Sequence, residues 1–324
     1  MGWSLRKWTI PLYEAHQVHP YVREIGLLTG YRPERATLRQ CLASLFQPTN
    51  ETINFWTHFV ATWYFVNELL HHYTEATDLN RLGAFIGYLC TATACPLVSC
   101  LAHAFAGMSL QVYVICFLID YSTVTVLSFG TGVLYHTYCF PYQFEDTWYA
   151  HWFLMICFLC STICTLITCS SKLHQHSRIQ IKMRLIAFIV PYIWDTTPLV
   201  YRFAVEDGIF NTPALFHFLQ FVFITLAGFF YGTHLPEVLA PGKFDLIGHS
   251  HNLLHVFGSL AVYMQMQAGL LDMNNRGLMK NAVEGRTAIA LVMSFTALTA
   301  FILLIFITIY RTRLNNLVSI DKVR

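Results

Sequence analysis

An all-α bundle that crosses a membrane many times is the fold class this sequence predicts, on three observations. Mean hydropathy is +0.48. Only 12% of the 324 residues are charged, about half the share found in soluble domains. Apolar windows of bilayer-spanning length recur along nearly the whole chain. The expectation is a polytopic membrane helical bundle with a seven-helix core, an eighth C-terminal transmembrane helix and an N-terminal amphipathic helix. Residues 1–48 read as a cytosolic segment, 49–310 as the bundle and 311–324 as a cytosolic tail. No basic block points to nucleic acid, and no internal repeat is visible.

Taken in order, Leu38, Cys41, Leu42, Leu45 and Phe46 fall on one helical stripe flanked by Arg35 and Arg39. That pattern predicts a short helix lying on the inner leaflet, with Pro48 turning the chain into the membrane. Spans are expected near 53–71, 82–107, 112–138, 147–169, 183–203, 213–234, 249–270 and 287–310. The second, third and fourth are continuous apolar runs. Pro191, Asp195 and Pro198 interrupt the fifth, a break that membrane helices tolerate when neighbours satisfy the freed backbone. The eighth carries no charge between Arg286 and Arg311.

Basic residues set the orientation. Six precede the first span, and Lys172, Arg178, Lys182 and Arg184 lie between the fourth and fifth. Lys243 follows the sixth, and four more follow the eighth. Only Arg81, Arg202, Arg276, Lys280 and Arg286 fall in loops on the opposite side, so both termini are expected in the cytosol. Asn50-Glu51-Thr52 matches a glycosylation sequon but lies on the cytosolic side, and no glycan is expected there. Arg6 and Lys7 precede an apolar stretch too short for a signal peptide and broken by Pro11. The ten cysteines fall mostly inside apolar segments and read as packing residues, not a disulfide framework.

Ionisable groups inside a span are costly and mark candidate sites. His251 and His255, four apart at the start of the seventh span, share one helix face. With alternating spans, His103 falls near the cytosolic end of the second span, at the same leaflet. Asp120 lies in the inner half of the third. Three neutral imidazoles are a ligand set for catalytic zinc, with a fourth position left to water. Ser99 stands one turn before His103 on the same face, although a mid-helix serine also bonds back to its own preceding turn. A turn at Gly107 would put Asp120 and His103 about 13 Å apart in depth. A shared site therefore requires the turn to centre near Ser109–Val112.

Other polar residues have two readings. Glu51, Asn54 and His58 stand at i, i+3 and i+7 on the inner end of the first span. They either support the metal histidines from behind or simply start a helix at the interface. Asp195 has no obvious cationic partner and either caps a broken helix or faces water. His71, His72, His136 and His151 are expected near the outer surface, His174 and His176 in a solvated cytosolic loop, and Glu237 at the cytosolic mouth. The glycines of "FGTGV" read as close helix packing. No HExxH is present, which excludes the zincin mechanism at the motif level.

The block "TNETINFWTHF", the pair Ser99-x-x-x-His103, Asp120-Tyr121, "SHNLLH" and "HLPE…PG" together resemble the progestin and adipoQ receptor family. The motifs occur in the right order, with seventeen residues between His103 and Asp120, over essentially the whole chain. The first block and the eighth span resemble its membrane progestin receptor branch. The resemblance implies an intramembrane zinc (Zn2+) held by His103, His251 and His255, with Asp120 holding the water and Ser99 hydrogen-bonding beside it. It also implies rapid steroid signalling, ceramide hydrolysis, or both.

Three functions follow as alternatives. One is a receptor with a steroid or lipid ligand, signalling to a G protein or adaptor, with the plasma membrane as its compartment. Another is a dedicated zinc hydrolase of a lipid amide such as ceramide. The third is a transporter whose path runs by Asp195.

Overall fold

The computed structural model describes residues 9–144, 146–174, 177–205 and 211–321. His176 and the expected basic residues at 6, 7, 322 and 324 lie outside them. Among the described residues the fold is almost wholly helical, with one isolated bridge between Tyr13 and Tyr31. The helices are α1 (Leu38–Ser44), α2 (Thr52–Thr74), α3 (Leu79–Phe105), α4 (Leu110–Leu134), α5 (Trp148–Ser171), α6 (Ser177–Val205), α7 (Thr212–Thr233), α8 (Ser250–Arg276) and α9 (Gly285–Asp321). By length and composition, five of them, α3, α4, α5, α7 and α9, can cross a membrane. The other long helices, α2, α6 and α8, carry His58, Asp195, Arg202, His251, His255 and Asp272 inside their bounds.

The chain forms two compact units. The first comprises the residues up to Thr62, Pro96–Asp120 and Ile224–Ser259. Its N-terminal part, ahead of α1, is an irregular strap. Tyr13 and Tyr31 exchange backbone hydrogen bonds, and Val18, Leu27 and Tyr31 make a small buried cluster. Arg32 ties this strap to the end of α3, its guanidinium donating to Ala104 O at 2.9 Å. Asp245, in the loop after α7, accepts from Leu28 N at 2.9 Å and from Thr29 N at 2.8 Å. In α1, Thr37 caps the helix and Gln40 closes a capping box, satisfying amide groups that a helix start otherwise leaves open. Cys41 and Leu45 are buried while Leu38, Leu42 and Phe46 are exposed. The expected single stripe is therefore divided between protein and surroundings.

The turn between α3 and α4 corrects the expectation of Ser109–Val112. α3 ends at Phe105, a single 3-10 turn covers Ala106–Met108, and α4 begins at Leu110. Two contacts explain the position. Ala36 N donates to Gly107 O at 3.0 Å, and Ser109 caps α4 by accepting from Val112 N at 3.1 Å. The polar residue taken as a continuation of the helix is instead its successor's cap.

The second unit comprises Trp63–Cys95, Tyr121–Phe223 and the chain from Leu260 on. Its glycines serve close packing as expected: a Cβ at Gly130 would stand 2.5 Å from Thr91 Oγ1, and one at Gly132 would stand 2.9 Å from Cys157 Sγ. Two further expectations change. His136 is buried in the π-helical turn Tyr135–Cys139, stacked on Phe153, and is not interfacial. Arg202 is a helix residue, not a loop residue, with 2% exposure. Its NH1 and NH2 reach the two oxygens of Asp272 at 2.6 and 3.1 Å, and His217 Nε2 stands 3.0 Å from the same carboxylate. Mutual neutralisation lets α8 run beyond its apolar window, with Asp272 inside the extension. α9 continues to Asp321, past the expected boundary at 310, because no Gly or Pro interrupts it after Gly285.

Two predictions follow from this packing. Asp272→Ala leaves Arg202 buried without its partner and should cost about 3–5 kcal/mol of stability, read by denaturant unfolding in detergent. Replacing both with apolar residues of similar volume should cost much less. Asn50 is 5% exposed, and its backbone N–H donates to Gly30 O at 3.0 Å. Glycosidase treatment of the expressed protein should therefore leave its gel mobility unchanged at this sequon.

Candidate metal centre

One helix end and two helix starts converge in the first unit. His103 lies two residues before the end of α3, and His251 and His255 occupy the first two turns of α8. Their ligand nitrogens all lie within 4.8 Å of one another. The four-residue spacing puts the two α8 imidazoles on one face, and His103 meets them there. His251 Nε2 and His103 Nε2 are 3.3 Å apart. Two nitrogens bound at about 2.0–2.1 Å to one tetrahedral zinc would stand about 3.3–3.4 Å apart. The donor set therefore fits zinc in both chemistry and spacing.

The rings are aimed from behind. Glu51, the residue before α2, accepts from His103 Nδ1 at 2.6 Å. His255 Nδ1 donates to the backbone oxygen of Asn54 at 3.2 Å, with Thr57 Oγ1 at 3.3 Å. A carbonyl oxygen and an ionised carboxylate can only accept, so both Nδ1 atoms carry the proton. Both Nε2 atoms then present lone pairs, which is the form a metal needs. Asn54 Nδ2 donates to Glu51 Oε2 at 3.1 Å, and Asn252 Nδ2 donates to Asn54 Oδ1 at 2.7 Å. A hydrogen-bonded chain thus runs from α8 through α2 to the His103 ring. The ring of His58 lies 3.7 Å from that of His255, close to ring-stacking distance.

All three residues expected behind the metal histidines are therefore brought to them. Ser99 is buried one turn before His103. Asp120 is buried on α4, but it is not in the group of converging ligand atoms. It stands ten residues into α4, whereas His103 is two residues from the end of α3. With antiparallel helices this difference amounts to about 12 Å of rise. That offset speaks against direct contact between Asp120 and a metal on the histidines.

Several contributors were not legible in the sequence. Glu237, expected at an open mouth, is 2% exposed and caps α8: Ser250 N donates to its Oε2 at 2.7 Å, and Ser250 Oγ donates to Oε1. Burial pushes the Glu237 carboxyl up, but hydrogen bonds involving His234 and Ser250 outweigh it and hold it below the usual carboxylate value. This cap fixes the turn of α8 that carries His251. Thr57 and Asn252 were missed as well. Both are one of many hydroxyls or amides in helices, and only their partners distinguish them.

A second His, Cys and carboxylate group, Cys139, His217 and Asp272, lies in the second unit. There the cation is already supplied by Arg202, bidentate on Asp272. Its geometry is that of a compensated ion pair, whereas the three histidines have no cation among them.

Residues 46–266 match the family described as haemolysin-III related. The membrane progestin receptor gamma of Homo sapiens is 37% identical over 267 residues, covering 81% of each chain. The membrane progestin receptor delta of Mus musculus is 34% identical over 278 residues, 82% of this chain and 80% of the relative. The membrane progestin receptor beta of Homo sapiens is 30% identical over 286 residues, 83% of this chain and 77% of the relative. This chain is a multi-pass integral membrane protein of the helical-bundle class. It belongs to the haemolysin-III-related, progestin and adipoQ receptor family, with membrane progestin receptors among its relatives.

The support from Glu51 can be measured. Glu51→Gln keeps the shape but weakens the acceptor on His103 Nδ1, and should reduce zinc affinity about 10–100-fold in competition with a chromophoric chelator. His103→Ala should leave less than one equivalent of zinc per purified chain.

Proposed function

We propose that the protein is a membrane receptor for a steroid or similar lipid, built around a zinc site that also hydrolyses a lipid amide such as ceramide. The observation carrying this reading is the convergence of three imidazoles, two of them with Nδ1 tied to acceptor oxygens. His103, His251 and His255 hold the metal in this reading. Zinc supplies Lewis acidity toward an amide carbonyl and a nucleophile at neutral pH.

The chain's own residues do the rest. Glu51 and Asn54 hold the rings of His103 and His255 in one tautomer, so no reorientation is needed as charge develops. Phe117 packs edge-on against His103 at 5.4 Å between ring centres and limits water at that ring. Gly258 lies on the ligand face of α8, three residues after His255, and a Cβ there would meet nothing within 4 Å. This leaves room for an apolar group beside the histidines. Ser99 offers a hydroxyl on the His103 face for the substrate's polar head. Asp120 is the proton acceptor of this reading, and its depth on α4 is the observation against it.

The N-terminus is cytosolic in this proposal, with the zinc near the inner leaflet and an inner face that engages a G protein or adaptor. Relatives named progestin receptors support the steroid part. A dedicated lipid-amide hydrolase without a receptor role is the second reading, favoured by the oriented histidines, which steroid binding alone does not require.

The deciding experiment compares variants of purified protein with a fluorescent ceramide and a labelled progestin. His251→Ala with His255→Ala should abolish cleavage and zinc content together. Asp120→Asn should keep its zinc, because that carboxylate is outside the ligand group, and should lose at least about 100-fold in turnover as a general base. Undiminished turnover would remove Asp120 from the mechanism. Steroid binding that survives the double histidine variant would separate the receptor role from the metal.

A further inference from the structure

We propose that Asp195 binds one small monovalent cation, a proton or Na+, inside the second unit. This inference stands apart from the zinc reading and uses none of its residues. Asp195 lies in α6 between Pro191 and Pro198 and is 2% exposed. Its hydrogen-bond partners are neutral. Ser128 Oγ donates to Oδ2 at 2.9 Å, and Cys157 Sγ donates to Oδ1 at 3.0 Å. No Lys, Arg or His is paired with it among the described residues. Asp272, the other buried aspartate of this unit, has both Arg202 and His217 on it. An ionised carboxylate in a lipid-surrounded interior loses more hydration than two neutral donors return. A positive charge must therefore accompany it.

The surroundings set the valence and the chemistry of that charge. α4 presents Ser128 and Gly132 to the carboxylate, neither of them ionisable. α5 presents Cys157 and Tyr149 on the side of α6 that carries Asp195, and neither is a cation. α9 carries no charge between Arg286 and Arg311. One negative charge is therefore present, and a divalent ion would leave an uncompensated positive one.

Oxygen donors are at hand. Ser161 stands one turn along α5 from Cys157, on the same face, is wholly buried, and its Oγ has no hydrogen-bond partner among the described residues. Pro198 has no N–H, so Trp194 O, the carbonyl just before Asp195, loses its donor within the helix, and Tyr149 OH donates to that oxygen at 3.0 Å. A buried carboxylate held only by neutral donors is the site for a small, singly charged ion.

The test uses purified full-length protein in detergent, melted in NaCl and in choline chloride at equal ionic strength. Its infrared spectrum is compared with that of Asp195→Asn, a neutral isostere. If Na+ is the ligand, wild type melts several degrees higher in NaCl, and Asp195→Asn melts alike in both salts. If a proton is the ligand, wild type ignores the salt exchange and shows a protonated-carboxyl stretch that Asp195→Asn lacks. Melting that ignores Na+, together with an ionised carboxylate band lost in Asp195→Asn, overturns the proposal. Should Asp195→Asn not fold, Ser128→Ala keeps the carboxyl and removes one oxygen. It should then diminish the Na+ response or move the carboxyl stretch, and a variant matching wild type in both would refute the site.

Discussion

Compensation of buried charge is the constraint on which this structure depends. Inside a bundle that lipid surrounds, an acceptor without a donor or cation has no water to turn to. Each polar cluster of the molecule is legible as an answer to that problem. Asp272 is answered by Arg202 and His217, and Glu51 by His103 and Asn54. The three converging imidazoles form a group able to hold a metal ion, and the cation proposed at Asp195 is an answer of the same kind. The same rule explains how α8 extends past its apolar window with Asp272 inside the extension. Charges that neutralise one another can remain in helix, whereas unpaired ones would have to reach the surface.

The three histidines are brought together where three helix termini meet, and the strap ahead of α1 holds those termini together. Arg32 secures the end of α3, Asn50 meets Gly30 before α2, and Asp245 fastens the loop that leads into α8. Glu237 then caps α8 itself. Two of these contacts, to Ala104 O and Ser250 N, use backbone groups that helix ends leave unsatisfied, so the demands of helix termination also help to position the histidines. The irregular N-terminal segment thus has a clear mechanical role. It fixes the register of the side chains around the site without touching a ligand ring.

Much of the fold was legible because a bilayer imposes a simple code: long apolar runs, charge at their ends, and helices as the answer to unsatisfied backbone. The multi-pass helical bundle, the short helix at Leu38–Ser44 and the packing glycines followed from that code, with five helices long and apolar enough to cross a membrane among the described residues. The histidine pair was legible because four-residue spacing has one geometric meaning on a helix. Glu51, Asn54 and His58 were legible as a face but not as partners, since one face of a helix does not say which neighbour it meets. The turn after α3 was misplaced because Ser109 serves equally well inside a helix or as its cap. Only the contact between Gly107 and the strap decides between them. Arg202 was misassigned for a related reason: an arginine near a span end reads as a loop residue until its carboxylate, far away in sequence, is found.

By itself, the sequence determined that this chain is a helical membrane protein, where its helices run, and which histidines share a face. These are local consequences of hydropathy and helical period. Only the tertiary structure decided that His103 meets His251 and His255, that Glu51 and Asn54 orient His103 and His255, and that Arg202 pairs with Asp272 while Asp195 is paired with no Lys, Arg or His among the described residues. Those facts depend on which helix lies beside which. Residues about 150 positions apart in sequence meet through packing of whole helices, and no local pattern encodes that encounter.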